Sequence, residues 1–339
     1  MIFYICQRSH SYTQACLLLY YRTDLQRIFR LVGYDEIDLL LRVERGTIIW
    51  SDMDRLNSTE VAKAGRIRDQ IERDCPEVAQ LNHPRDSLRR YDLLRMLFDQ
   101  GINDFRVFRP HSLPDALRYP VFLRDEVGAA YKAPRLLRSV TEVESALVEL
   151  RKLNWASPML VEFGSKPEAD GYYRKYSAYR VGVNSYAQHC FASTDWFIKD
   201  PGRGLSGRHL DEHRLFVRTH PHAVELQKVF EMARISYGRI DYAFVEGRIQ
   251  VFEINTNPTI LSYPPTPFDT YDSSPYANMH ADALLALPAA RDAASVPQID
   301  KSHLEMLAEL AQRYRKRRRK LTARKGLKFL KNALSIGKA

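Results

Sequence analysis

The sequence has no apolar run of the ~18 residues that a membrane-spanning helix needs. It has no Walker loop and no G-x-G-x-x-G, which disfavours the P-loop and dinucleotide-binding readings. Internal repeats are absent, and so is low-complexity sequence apart from a basic C-terminal stretch. Cysteine is scarce. Cys6, Cys16, Cys75 and Cys190 are scattered without metal-ligand spacing, so free thiols in a reducing, cytoplasmic compartment are expected rather than a disulfide framework. His220 and His222 flank Pro221, which suits a helix start better than a zinc pair. His189, beside Cys190, reads as a strand residue. The first 21 residues are apolar but lack a basic leader and an uninterrupted apolar core, so they read as a buried strand, Met1 to Cys6, then a loop and a helix, not as a signal peptide.

Acidic residues are missing from position 310 onward, while twelve Lys or Arg fall between Arg313 and Lys338. Outside that segment 39 basic residues face 41 acidic ones, so the body is near −2 although the whole chain is +10. The basicity therefore belongs to one terminal segment. With 45% hydrophobic and 27% charged residues in 339, the rest has ordinary globular composition, long enough for two or three domains.

Residues 1 to about 84 alternate short apolar runs, such as Ile37–Val43 and Thr47–Trp50, with helical patterns, which suggests a small α/β domain. One helix starts at Ser58 and puts Val61, Ala64, Ile67 and Ile71 on one face. A second is expected from Asp86 or Ser87 to Gly101. Thr141 with Glu144 reads as a capping box for a third, and a fourth runs roughly from His222 to Ile235. Strands are expected at residues 119–126 and 159–163, one or two between Tyr172 and Ser193, and a hairpin over 238–255 turning at Glu246-Gly247.

That hairpin carries the chemistry. On its first strand Ile240, Tyr242 and Phe244 alternate with Asp241; on its second Ile249, Val251 and Glu253 alternate with Gln250, Phe252 and Ile254. An antiparallel pair brings Asp241 beside Glu253 and Asn255. Three converging oxygen ligands suit Mg2+ bridging phosphates, with Mn2+ as a substitute.

The string RIDY…FEINTNP resembles the signature of ATP-grasp ligases, such as D-alanine–D-alanine ligase, glutathione synthetase and the ribosomal-protein glutamate ligases. The resemblance covers residues 80 to 285. It implies an α/β (α+β) ATP-grasp fold with three parts: a pre-ATP-grasp α/β domain over 1–84, an ATP-grasp domain over 85–290, and a linker with a basic helical tail over 291–339. Within the ATP-grasp domain it implies a nucleotide lobe at about 113–162 and a metal lobe at about 163–290. Asp241, Glu253 and Asn255 would be metal ligands, and Arg239 would face the transferred phosphate. ATP would meet Arg124, Lys132, Glu162, Phe163, Lys175, Arg180 and Phe252.

Two features depart from the family pattern. The strand lysine is here Arg124, which changes the local phosphate geometry. The glycine-rich phosphate loop is reduced to Gly128, leaving Lys132 and Arg135 to compensate. The implied activity is ADP-forming ligation of a small-molecule or peptide carboxylate to an amine through an acyl phosphate. The alternatives are a hydroxyl kinase of the same fold and a non-catalytic ATP-binding module. Substrate contacts are expected in the Tyr- and Pro-rich loop Ser262 to Asn278. The basic tail, with Leu327, Leu330 and Leu334 at helical spacing, suits an anionic membrane surface or an acidic partner. Nucleic acid is disfavoured, since no aromatic platform accompanies the charge.

Overall fold

The computed structural model describes residues 1–127, 134–153, 155–199, 207–261, 264, 274–288 and 296–336, with positions 274, 321 and 325–336 described by backbone alone. The chain divides into two compact units. The first holds Met1–Asp52, Ser58–Arg85 and Asn257–Ala339; the second holds Met53–Asn57 and Asp86–Thr256. The division at Arg85/Asp86 falls beside the expected end of the first domain at residue 84. The stretch after Asn257, expected to close the ATP-grasp domain, groups with the first unit.

The first unit is built on a parallel sheet of β1 (Ile2–Cys6), β2 (Phe29–Gly33), β3 (Gly46–Trp50) and β4 (Val78–Leu81), in the order β2-β1-β3-β4. β1 and β3 are buried at every position, which is why they read as continuous apolar runs without alternation. Helix α1 (Ser58–Asp74) buries Ala64, Ile67 and Ile71, as its spacing predicts. Two expectations fail here. The run Ile37–Val43 falls largely in a 3₁₀ helix, Tyr34–Arg42, where Ile37 and Leu40 turn inward at i and i+3. The helix expected after the first strand is replaced by short 3₁₀ and π turns, Arg8–Gln14 and Leu17–Tyr21. Past β3, the buried Asp52 accepts from the Gln7 amide (3.0 Å) and the Asn257 amide group (2.7 Å), and lies 2.5 Å from His10 Nδ1.

The second unit contains helix α2 (Arg90–Asp99) and two antiparallel sheets. The smaller sheet comprises β5 (Val107–Phe108), β6 (Val121–Asp125) and β7 (Pro158–Glu162), in the order β5-β7-β6, with helix α3 (Val140–Leu150) alongside it in sequence. The larger comprises β8 (Tyr173–Val181), β9 (Asn184–Ser193), β10 (Tyr237–Val245) and β11 (Arg248–Asn255), in the order β11-β10-β8-β9, with α4 (Gly207–Thr219) and α5 (Ala223–Met232). Helix α2 serves both cores. Leu93 and Leu97 pack with Phe230, Ile240, Tyr242 and Val251, while Leu94 packs with Phe105, Met159 and Val161. The β10–β11 turn follows expectation: Glu246 and Gly247 both have positive φ (50° and 79°), as a two-residue hairpin turn requires.

Two helix starts differ from the sequence reading. Ser87 is no cap for α2; its hydroxyl donates to the Arg234 carbonyl (2.7 Å), and the helix begins after Arg89. The α3 cap is Ser139, which accepts from the Glu142 amide (3.2 Å), while the Glu142 carboxylate accepts from the Arg138 amide. The S-x-x-E capping pair thus sits two residues before Thr141.

The chain closes in the first unit with α6 (Ser274–Leu285) and a 40-residue helix, α7 (Pro297–Ile336). All four cysteines are free thiols, three of them buried. Among the described residues no helix is long and apolar enough to cross a membrane.

Candidate functional site

The register of β10 on β11 sets Asp241 directly opposite Glu253 and Arg239 opposite Asn255. Simple alternation would continue along β11, but the ladder slips between Asp241 and Tyr242: Asp241 pairs with Glu253 and Tyr242 with Val251. Phe252 is the extra residue of a β-bulge. The slip lets Val251 and Ile254, three apart, both face the core with Ile240 and Tyr242. Phe252 and Glu253 turn away from it: Phe252 packs on Phe105 (centroids 6.3 Å apart) and Glu253 meets two arginines. The predicted alternation of Phe252 against Glu253 is corrected by this bulge. A second slip, between Ser177 and Ala178 on β8 against β9, lies beside Asp241's other neighbour.

Asp241 is held from three sides. Arg239 Nε donates to Oδ1 (2.9 Å), Ser177 Oγ donates to the same oxygen (2.7 Å), and Lys175 Nζ reaches Oδ2 (3.5 Å). Lys175, Ser177 and Tyr179 share one face of β8 by the two-residue period, and Ser177 pairs with Asp241. Ser177 spends its only proton on Asp241, so its contact with His189 Nε2 (2.8 Å) is one in which the imidazole donates. Burial, with Lys175 and Arg239 nearby, pushes the His189 pKa well down, so this ring is neutral. It is the strand residue that the sequence predicts.

Glu253 meets Arg90, an ion pair across 163 positions of sequence, and Arg124 Nη2 at 3.4 Å. Arg90 is aimed by its own bond to the Glu126 carbonyl (2.6 Å). Glu126 is fixed in turn by the Tyr91 amide, Arg109 and Ser157. Burial would raise both site carboxyls. For Asp241 the charges of Arg239 and Lys175 outweigh burial, and for Glu253 those of Arg90 and Arg124 do, so both are held below the ordinary range and ionised. Arg239 stays protonated against its own burial because Asp241 is beside it. Arg124 is pushed down to about 10 by burial and by the like charge of Arg90.

Four cations therefore surround two carboxylates, a surplus of two positive charges in a mostly buried site. Arg90 Nε is buried and finds no acceptor among the described residues. A surplus of this kind, with an orphaned donor, suits a polyanion. The two ionised carboxylates, joined by Asn255 at the end of β11, are hard oxygen donors of the kind that Mg2+ takes when it also holds phosphate oxygens. The donor set fits a magnesium–phosphate pair better than a bare metal cage, and no cluster of three His, Cys, Asp or Glu fit for a metal occurs among the described residues.

The structure brings together Arg124, Lys175, Arg239, Asp241 and Glu253, with Asn255 opposite Arg239. Arg180 is not among them. It is five residues from Lys175 on the same strand and so on the opposite face, where it donates to the carbonyls of Gly182 (3.0 Å) and Ile235 (3.4 Å). The Glu162 carboxylate is taken up by Arg106 and Arg118, through both side chains and both backbone amides. Phe163 lies in an aromatic group with Trp196 (5.2 Å, edge-on) and Tyr173 (6.3 Å). Lys132, Gly128 and most of the loop 262–278 lie outside the described residues. Arg90 and Ser177 were missed by sequence reasoning. Ser177 was open to inference, since it shares the strand face of Lys175; nothing local marks Arg90.

No family model matches the sequence, and no curated protein matches it. Solved structures do resemble the backbone. D-alanine–D-alanine ligase from Bacillus anthracis, complexed with ATP, is 13% identical, with 84% of this chain and 97% of that chain covered at a TM-score of 0.47. The D-alanine–D-alanine ligase from Coxiella burnetii is 12% identical over 93% of this chain and 98% of that one, with a TM-score of 0.46. Carboxyaminoimidazole ribonucleotide synthase from Aspergillus clavatus, complexed with ATP, is 12% identical over 75% and 69%, also at 0.46. These likenesses name neither substrate nor reaction for this chain.

Proposed function

We propose that this chain is an ADP-forming carboxylate–amine ligase of the ATP-grasp kind, acting on a small-molecule or peptide substrate. The observation that carries the reading is the pair Asp241–Glu253 enclosed by Arg90, Arg124, Lys175 and Arg239. The four cations would grip the triphosphate of ATP, and the orphaned Arg90 Nε would gain an acceptor. Asp241, Glu253 and Asn255 would hold Mg2+, which when bound neutralises charge on the phosphate oxygens. The γ-phosphoryl group passes to a substrate carboxylate, giving ADP and an acyl phosphate. An amine then attacks the acyl carbon, and inorganic phosphate leaves. Arg239, two residues from Asp241 on the same strand face, is suited to stabilise charge on the moving phosphoryl group. Phosphoryl transfer asks for positioning and charge rather than for a nucleophile, and this site offers fixed charges. Phe163 and Phe252 are proposed to flank the base, and Arg124 takes the place of a lysine.

The test is incubation with Mg-ATP and a pool of amino acids, peptides and small carboxylates. ADP with stoichiometric free phosphate and an amide product is expected, and hydroxylamine should trap the acyl phosphate as a hydroxamate. ADP with phosphate kept on an alcohol would make the protein a kinase. Measurable ATP binding with no ADP from any pool would make it a binding module.

A further inference from the structure

Helix α7 changes character along its length. Its first half is a packed helix: Ile299, His303, Met306, Leu310 and Tyr314 are buried at spacings of three and four. His303 Nδ1 accepts from the Leu31 amide (3.1 Å) and the Tyr314 hydroxyl donates to the Tyr12 carbonyl (3.4 Å), so this half is fastened to the first unit. The next step of the same stripe lands on Arg318. There the helix and the turn Leu17–Tyr21 border an open groove of about 750 Å³, lined by Leu19, Tyr20, Arg315, Arg318, Arg319 and Thr322, with small alanines beside them. Arg318 lies over the Tyr20 ring at 5.5 Å. None of the lining residues is acidic. Arg315 and, one turn on, Arg318 and Arg319 thus stand over an apolar floor, at the place where a packed helix would carry leucines.

We infer that this groove and the basic half of α7 seat the protein on an anionic phospholipid surface, with lipid phosphates between Arg315, Arg318 and Arg319 and the apolar floor against the upper acyl region. Leu19 and the alanines offer a lipid somewhere to rest, which a polynucleotide does not need. A single tyrosine, already covered by Arg318, is no stacking platform for bases. A helix of 40 residues is about 60 Å long. Its eleven basic residues from Arg313 to Lys331, with no acidic residue between them, give it the charge of an interfacial helix.

The full chain should sediment with vesicles of phosphatidylserine and phosphatidylcholine, and not with phosphatidylcholine alone. The triple variant Arg315→Gln/Arg318→Gln/Arg319→Gln should lose affinity on the order of a hundredfold, the worth of three charges at a lipid surface. A triple of equal charge loss away from the groove, Arg313→Gln/Lys316→Gln/Lys320→Gln, should lose no more than roughly fivefold. Thr322→Glu, which puts a carboxylate into the groove, should weaken vesicle binding several-fold on its own, and inorganic phosphate at millimolar concentration should not compete. Equal losses in both triples would overturn the groove as the site. Tighter binding of single-stranded RNA than of vesicles, lost in the groove variants, would assign the surface to nucleic acid. Competition by inorganic phosphate would assign it to a soluble phosphate.

Discussion

Glu162 and Glu253 sit at or near the end of a strand, each against two arginines, yet they serve different ends. Glu162 accepts from the backbone amides of Arg106 and Arg118 as well as from both guanidinium groups. Its two arginines are 27% and 55% exposed, so water finishes what the carboxylate begins. Glu253 accepts from side chains that are 10% and 18% exposed, one with an orphaned nitrogen and the other with a depressed pKa. The first cluster is closed and holds β5, β7 and the segment before β6 together. The second is charged beyond its own needs. The balance of donors, acceptors and water separates the two, whereas residue type and strand position do not.

The largest expected effect tests that separation directly. Glu253→Gln should lower Mg-ATP turnover by at least about a hundredfold, the order seen when one charge-stabilising group is lost. Metal-free ATP should bind the variant at least as well as it binds the parent, because the cation surplus grows. A folded Glu253→Gln protein with parental turnover would sink the site. Next comes Arg124→Ala. ATP affinity by calorimetry should fall by about 1.5–3 kcal/mol, as for a charged hydrogen bond. The unliganded protein should melt no lower than the parent, because removing Arg124 relieves its crowding against Arg90. A lower melting temperature with unchanged affinity would make Arg124 a structural residue like Arg106.

Glu162→Gln should behave in the opposite way. Stability by urea unfolding should drop by about 1–2 kcal/mol, since the amides and guanidinium groups lose an ionised partner, while ATP affinity stays put. A selective loss of ATP affinity there would erase the contrast. The smallest effect is in pH. Glu126 and Glu162 are raised by burial but lowered further by Arg109, by Arg106 and Arg118, and by backbone amides, so both end below the ordinary carboxylate value. The native state then binds fewer protons than the unfolded chain. Their stabilisation is complete above the ordinary carboxylate range of about 4–4.5 and is lost as pH falls below it. Thermal melts between about pH 5 and 3 should show this decline, and Glu162→Gln should make it shallower by roughly one carboxylate's share.

Much of the candidate site was legible because it is local. The hairpin, its Glu246-Gly247 turn and the opposition of Asp241 to Glu253 follow from two strands of known period and one turn. The parity that excludes Arg180 was legible too, since positions five apart on a strand cannot share a face. Arg90 was not, because it arrives from a helix start far along the chain and is aimed by Glu126, itself fixed by Arg109 and Ser157. The bulge at Phe252 belongs to the pairing of two strands and is invisible in either alone. In the first unit the parallel strands announced themselves by apolar content. Ile37–Val43 did so equally and folded as a 3₁₀ turn, because a short apolar run does not declare its period.

The bulge also fixes how this stretch of chain can change over time. Val251 and Ile254 belong to the core, and Glu253 between them belongs to the site, only because Phe252 is an unpaired extra. With the same residues and no bulge, alternation from Val251 would turn the acid toward the core. The side chain at 252 can therefore be exchanged within the limits of its contact with Phe105, provided that it stays unpaired. Length variation among descendants of this chain is expected to collect in the loops rather than in this strand.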